Sequence, residues 1–247
     1  MTPSLAHAAF YLIPLLLLTV LVFGTTAAWF RSGATVGATV ATMVVVGLVA
    51  VGWMETTWMF AERGSFRDWS STPPPFALLV AGIVIVSTAM SFSELGRRLA
   101  LFIPLWVHVA VQGFRLPLEL AMHTMSEIGV MPPQMTYTGR NFDIVTGATA
   151  VVVAGLVATG RGGAKLVAAW NVMGLALLIN VVVVAILATP RFRYFGDDHL
   201  NTWVTYPPYV WLPAVMVLAA LAGHLIIFRA LALRRSAASA SSPVRDE

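Results

Sequence analysis

The 247-residue chain contains no cysteine, a single lysine and few charged residues of either sign. Without cysteine, the protein can form no disulfide, no thiolate metal site and no thiol nucleophile. Charged residues make up only 11% of the chain, whereas about a quarter of a soluble domain is charged. This shortage of charge indicates a chain whose surface meets lipid rather than water.

Most of the chain consists of long apolar runs. Hydrophobic residues make up 58% of the chain, and 19 Gly and 14 Pro help to separate the runs. Each run is close to the ~20 residues that cross a ~30 Å hydrocarbon core. We therefore expect an all-α integral membrane protein with seven transmembrane helices. The predicted spans are 8–29, 34–54, 76–92, 99–114, 144–160, 166–187 and 209–231.

The distribution of charge predicts the orientation of the chain. With the N-terminus outside, the cytoplasmic segments hold nine basic and three acidic residues, a net charge of +6. The outer segments hold six basic and eight acidic residues, a net charge of −2. The positive-inside rule then favours an outer N-terminus and a cytoplasmic C-terminus. The basic tail is interpreted as a topology signal and a lipid-facing patch, so no nucleic-acid partner is expected.

The loops on the predicted outer side are long, and those on the inner side are short. The outer loops 55–75, 115–143 and 190–208 each contain a proline pair or triplet together with aromatic residues. Proline stiffens a loop, and Trp and Tyr prefer the membrane interface. The sequence thus predicts a structured extracytoplasmic cap on a transmembrane domain of residues 1–233. Residues 234–247, rich in Ala and Ser, are predicted to form a disordered cytoplasmic tail.

One polar stripe interrupts the apolar sequence HVAVQGFRLPLELAMH of residues 108–123. At about 100° per residue, its five strongly polar side chains fall within roughly 80° of one helix face. Pro117 predicts a kink, because it cannot bond to the carbonyl of Gly113. Two interpretations stay open, an Arg115–Glu119 ion pair that is only structural or a polar funnel that descends from the outer surface. The five residues are His108, Gln112, Arg115, Glu119 and His123.

A second polar segment, MTYTGRNFDIVTG of residues 135–147, leads into the predicted fifth span. Asn141 can cap that helix, and Asp143 suits its positive N-terminus. Capping does not explain Arg140. We therefore expect Arg140, Asn141 and Asp143 either to cap the helix or to complete a ligand site with the stripe. In the sixth span, Asn171 is a further candidate for the same cavity.

Metal chemistry is a separate hypothesis. Met122, His123 and Met125 lie together on the outer side, and thioether and imidazole ligands suit Cu(I). The alternative is that methionine fills gaps in apolar packing. Zinc is less favoured, because the five histidines form no H-x-x-x-H pattern. Lys165 lies in a predicted cytoplasmic turn, so the seventh span can hold no retinal Schiff base like that of microbial rhodopsins.

Four segments together resemble a family of small bacterial multi-spanning membrane proteins of unknown function. They are F-R-L-P-L-E of residues 114–119, T-Y-T-G-R-N-F-D-I-V-T-G of 136–147, W-N of 170–171, and Y-P-P-Y-V-W-L-P of 206–213 followed by His224. The G-R-N-F-D-I part is the most specific. The resemblance implies a protein of the bacterial plasma membrane and carries no activity with it.

These patterns favour one function over two others. The expected protein binds a small or amphiphilic molecule in an outward-facing polar cavity, as a receptor-like or carrier module in the lipid bilayer. The first alternative is a membrane-embedded enzyme or metal-handling protein that depends on copper or zinc. The second is a structural subunit with a protein partner in the membrane. The residues do not identify a cofactor, and copper is the metal that they favour.

Overall fold

The computed structural model describes residues 1–240, with side chains as far as residue 236, and all its regular elements are helices. A 3-10 turn at Gln112–Phe114 joins α5 to α6, and a π-helix at Leu212–Val217 precedes α9. The helices are α1 Pro3–Arg31, α2 Val36–Glu62, α3 Pro75–Phe92, α4 Glu94–Phe102, α5 Leu105–Val111, α6 Arg115–Glu127, α7 Ile144–Ala158, α8 Ala164–Leu187 and α9 Leu218–Ala240.

The prediction of an all-α protein with long apolar helices is confirmed over the described residues. Five helices are long and apolar enough to cross a membrane, namely α1, α2, α3, α8 and the π-helix with α9. If α4 and α5–α6, which are joined at a bend, together form one span, the number of candidate spans is six. Large apolar side chains such as Phe23, Leu48 and Val49 are about two-thirds exposed on the outside of the bundle. Contact with lipid explains why so much apolar surface lies outside.

The predicted fourth span, 99–114, does not form one straight helix. The chain turns by 111° between α4 and α5, at Ile103 and Pro104. Proline lacks an N–H, so it starts α5 without leaving a donor unsatisfied. Arg98 on α4 lies over the ring of Trp29 at 4.6 Å and donates to Ser32 at 2.7 Å, which fixes α4 across the end of α1.

The bend changes where the polar stripe lies along its helix, compared with the straight span that the sequence predicts. Measured along a straight helix from Arg98, Arg115 should lie about 26 Å away, near the far boundary of the membrane. The straight stretch instead begins at Leu105, so Arg115 lies about 15 Å along it, close to its middle. The 3-10 turn at Gln112–Phe114 includes Gly113, whose carbonyl Pro117 cannot use.

Three long loops gather at one end of the bundle, which we call the loop end. Because α2 continues to Glu62 and α6 to Glu127, the loops are 63–74, 128–143 and 188–211, different from the sequence-based bounds. In the first loop, the hydroxyls of Ser70 and Ser71 donate to Asp68 and hold its pKa down at about 2.

The opposite end, which we call the tail end, carries the short connections and α9, which stays helical to Ala240. The rest of the predicted disordered tail, residues 241–247, lies outside the described residues.

The second long loop enters the bundle instead of lying on its surface. Its 3-10 turn at Pro133–Met135 and the residues that follow include the buried side chains of Gln134, Thr136 and Asn141. Their polar groups are bonded within the protein, for example Gln134 Nε2 to the carbonyl of His199 at 2.7 Å. Non-helical backbone is tolerated at depth only when the protein satisfies it in this way. Helix α7 consequently starts inside the bundle, and its 15 residues extend only about 22 Å.

Candidate functional site

Arg115 is fully buried at the first residue of α6, and its charge is balanced from another helix. Its Nη1 donates to Asp143 Oδ1 at 2.9 Å and approaches the carbonyl of Gly174 at 3.5 Å. Asp143 is the residue before α7, so the start of that helix brings the carboxylate to the guanidinium. Of the two carboxylates expected beside Arg115, Asp143 forms the salt bridge, and Glu119 does not bond to the guanidinium directly among the described residues.

Glu119 is bonded to the loop that enters the bundle. Asn141 Nδ2 donates to both carboxylate oxygens, at 2.8 and 2.9 Å, and to the carbonyl of Met135 at 3.0 Å. Asn141 Oδ1 accepts from the backbone N–H of Asp143 at 3.0 Å. Asn141 was predicted to cap α7 or to join the site beside it. In the structure, its amide connects Glu119, the backbone of the loop and Asp143, which pairs with Arg115.

A cavity of about 210 Å³ lies beside this cluster. Arg115, Glu119, Asn141 and Asp143 form one part of its lining. Its other walls are mostly apolar and come from α3, α6, α8, the π-helix with α9 and the second and third loops, with Asn201 as a further polar residue. A π-helix is frequent at functional sites, because its wider turn displaces side chains and carbonyls from the regular helix pattern. The cavity therefore combines a small charged part with large apolar walls.

The charges in this cluster do not balance by pairs. Two carboxylates, Glu119 and Asp143, lie beside one guanidinium, and all three groups are buried. Among the described residues, the Nε and Nη2 atoms of Arg115 have no hydrogen-bond partner. Buried polar groups are nearly always bonded to protein, water or ligand. The cluster can thus accept a proton or a cation at its carboxylates and donate to an acceptor from Arg115.

A second polar layer lies directly below, towards the tail end. His224 on α9 is fully buried, and its Nδ1 lies 2.7 Å from Asn171 Oδ1 on α8. Asn171 Nδ2 also donates to the carbonyl of His224 at 3.0 Å. Gln112 Nε2 donates to the carbonyl of Ala220 at 3.3 Å. Asn171 and Gln112 were predicted site residues, whereas His224 was not. The signals for it were its place as a lone histidine in an apolar span and its part in the resemblance described above.

His108 lies beyond this layer, in a second and larger cavity of about 600 Å³. This cavity, which we call the inner cleft, lies between α2 and the rest of the bundle, and its lining is almost entirely apolar. His108 Nε2 lies 3.1 Å from the carbonyl of Leu99 in the bent segment. Trp53 Nε1 donates to the carbonyl of Ala214 at 2.8 Å and so links α2 to the π-helix.

Two predicted site residues lie away from the cluster. Arg140 is exposed, and its guanidinium lies over the ring of Phe195 at 5.3 Å, so its predicted place beside Arg115 is wrong. His123 lies at the loop end, with its ring 4.7 Å from that of Tyr137 and its Nε2 3.5 Å from Glu127. His123, the last residue of the stripe, therefore lies outside the buried part that contains Gln112, Arg115 and Glu119.

The proposed copper ligands occupy different surroundings. Met122 and Met125 are buried in the apolar core, and Met122 lines the cavity beside Glu119. His123 instead faces Tyr137 and Thr138. Within the described part of the chain, no group of three or more His, Cys, Asp or Glu side chains is arranged to hold a metal ion. Copper binding by the two methionines and His123 stays a prediction.

Comparison with protein-family models, with curated proteins and with solved structures finds no match to this chain.

Proposed function

We propose that this chain is a multi-pass protein of the bacterial plasma membrane that binds a small amphiphilic molecule, as a receptor-like or carrier module. The observation that carries the proposal is the cavity of about 210 Å³ beside the buried cluster of Arg115, Glu119, Asn141 and Asp143. Ionisable side chains inside a helix bundle are costly and usually serve a ligand or an ion.

The shape of the cavity favours an amphiphile over a fully polar ligand. Its walls are apolar side chains such as Ile83, Leu178 and Met216, which suit a hydrocarbon chain. The polar part offers the unpartnered Nε and Nη2 of Arg115 to a headgroup oxygen. A headgroup that also carries an amine gains from the second carboxylate, because no cationic side chain of the described residues bonds to Glu119 directly.

The membrane arrangement is part of the same proposal. It counts α7 as a short seventh span and places α5–α6 across the membrane, with α4 at the cytoplasmic interface. The loop end then faces outwards, and we propose that the ligand enters the cavity from that side. Support comes from the basic side chains at the tail end, since Arg31, Arg98 and Arg229 all lie beside the short connections. These positions agree with the positive-inside rule.

Cysteine labelling tests the orientation, because the chain has no cysteine of its own. Ser70→Cys and Thr202→Cys at the loop end should react with a membrane-impermeant maleimide added to intact cells. Ser236→Cys, exposed near the end of α9, should react only after the membrane is opened. Labelling of Ser236→Cys in intact cells, with protection of the other two variants, would show that the orientation is the reverse of the proposed one. The cavity would then not be accessible from the outer side.

Ligand binding can be tested with dodecylamine, dodecanol and dodecanoate as probes that share one chain and differ in headgroup charge. At a hundredfold excess over Kd, a bound probe should raise the melting temperature by roughly 5–10 °C in one fixed detergent. Val182→Trp should abolish that rise, because Val182 lines the cavity. Mass spectrometry of solvent extracts should also find an amphiphile that co-purifies with the wild type.

The matched control is Val172→Trp, the same change on the same helix at an exposed position. It should keep the rise seen in the wild type. If all three probes leave the wild type unchanged and no amphiphile co-purifies, the proposed binding function is wrong. An equal loss in both variants would show that the effect does not come from the cavity.

A further inference from the structure

The two cavities follow one another along two helices of the bundle and are separated there by a polar layer. Along α3, the outer cavity is lined as far as Val84, and the inner cleft begins at Val86. Along α5–α6, the inner cleft ends at Gln112, and the outer cavity begins at Phe114. Along the π-helix and α9, residues of the two cavities alternate, so the cavities lie on different faces of that segment. On α5–α6 the partition between them is therefore about one helical turn thick, at the 3-10 turn.

The buried part of the polar stripe crosses this partition on one helix face. His108 lines the inner cleft, Gln112 lies at its upper edge, and Arg115 and Glu119 line the outer cavity. From His108 to Glu119 the rise is about 16 Å along the helix. The spacing that marked these residues in the sequence therefore runs from one cavity to the other along one helix face.

Three side chains in the partition carry unpartnered polar atoms that complement one another. Among the described residues, Arg115 Nε and Nη2 lack acceptors, while Gln112 Oε1 and His224 Nε2 lack donors. His224 Nδ1 faces the oxygen of Asn171, whose Nδ2 is bonded to the His224 carbonyl. Nδ1 therefore carries the proton in the neutral ring, which leaves Nε2 as an acceptor.

Two glycines bring these atoms together. The carbonyl of Gly174 accepts from Arg115, and a Cβ on Gly174 would fall 2.7 Å from His224 Cε1. The amide of Gln112 lies directly against Gly223, the residue before His224. The donors of Arg115 and the acceptors of Gln112 and His224 thus lie close to one another in the partition. Water, which both donates and accepts, satisfies such a mixed set, and buried water commonly makes about three such bonds.

We propose that this partition binds water and conducts protons between the outer cavity and the inner cleft. A proton held on Glu119 passes to the bound water, and a proton of that water passes to the lone pair of His224 Nε2. His224 Nε2 then releases that proton to water beside Gln112 at the edge of the inner cleft, and Glu119 takes up another proton from the outer cavity. Each O–H or N–H bond that breaks is replaced by another O–H or N–H bond. Arg115 does not exclude the proton by its charge, because the carboxylate of Asp143 balances the guanidinium even when Glu119 is protonated. The proposal stands whether or not the outer cavity binds an amphiphile.

The first test detects the water. X-ray radiolysis in detergent solution makes hydroxyl radicals from bound water, and these oxidise the nearest side chains. His224 is fully buried, yet it should be oxidised at a rate comparable to that of the half-buried His123. Oxidation of His123 alone would overturn the proposal, because His224 would then be dry.

The second test measures proton flux in liposomes that contain the purified protein and a pH-sensitive dye. A potassium gradient with valinomycin supplies the driving potential. The wild type should acidify or alkalinise the lumen faster than empty liposomes, and Gln112→Leu and His224→Leu should each lower the rate at least about tenfold. The control is His199→Leu, which changes an exposed histidine in the third loop.

Each result of the flux assay decides the proposal. No flux above empty liposomes overturns it, as does a rate in Gln112→Leu equal to that of the wild type. If either partition variant fails to fold, the wild-type flux and the oxidation of His224 still test the conduit. An equal loss in His199→Leu would also contradict it, because that residue is not in the partition.

Discussion

Arg115→Gln is expected to lower the free energy of unfolding by about 3–5 kcal/mol, which is the cost of leaving one member of a buried ion pair without its partner. Arg115 is fully buried and Asp143 nearly so, at 2.9 Å from each other. Without the guanidinium, the carboxylate of Asp143 stays in the bundle with no cation beside it. Equilibrium unfolding in mixed micelles measures the change.

The chain offers a matched control in the exposed pair of Arg97 and Glu94. Arg97→Gln makes the same chemical change, but water solvates the remaining carboxylate, so no measurable loss is expected. A wild-type melting profile for Arg115→Gln would show that the cluster is hydrated surface. That result would remove the main support for the proposed ligand site.

Gly147→Ala is expected to lower the free energy of unfolding by about 1–3 kcal/mol, the usual cost of excess volume in a packed interior. The added Cβ would meet the backbone of α6, at Leu116 N and, 2.9 Å away, at Arg115 C. Backbone atoms cannot rotate away as a side chain can. Helices α6 and α7 must therefore separate, which also stretches the bond from Arg115 to Asp143.

Gly155→Ala is the control for this change, because it lies on the same helix with nothing within 4 Å of the added Cβ. Alanine favours helix over glycine by about 1 kcal/mol, so Gly155→Ala should be neutral or slightly stabilising. The same unfolding measurement separates the two variants. If both behave alike, α6 and α7 do not approach as closely as the structure indicates.

Local patterns predicted the parts of this protein that depend on short stretches of chain. Apolar run lengths predicted α3 and α8 to within two residues, and α1, α2 and the π-helix with α9 with ends displaced by up to nine residues, because a membrane sets the length of the helix that crosses it. Helical spacing placed Gln112, Arg115 and Glu119 on one face, and all three are buried. Both results follow from the geometry of a single helix.

The predictions that failed depended on contacts between elements. The stripe suggested Glu119, four residues on, as the first partner of Arg115, with Asp143 or Arg140 as a further one, and the salt bridge runs to Asp143 because α7 starts inside the bundle. Arg140 and Asp143 are close in sequence, yet one is exposed and the other buried. The bend at Pro104 moved the stripe to mid-helix, since an X–Pro pair can end a helix or continue it with a kink.

Composition and helical periodicity were enough to predict a helical, apolar chain interrupted by one polar stripe, because both are properties of short stretches of sequence. The contacts of the stripe depend on the tertiary structure. The loop that enters between the helices brings Asn141 to Glu119, and the close packing at Gly174 and Gly223 brings His224 and Gln112 near Arg115. These residues are up to 112 positions apart in the chain, from Gln112 to His224. Their convergence depends on how the helices pack, which no local pattern encodes.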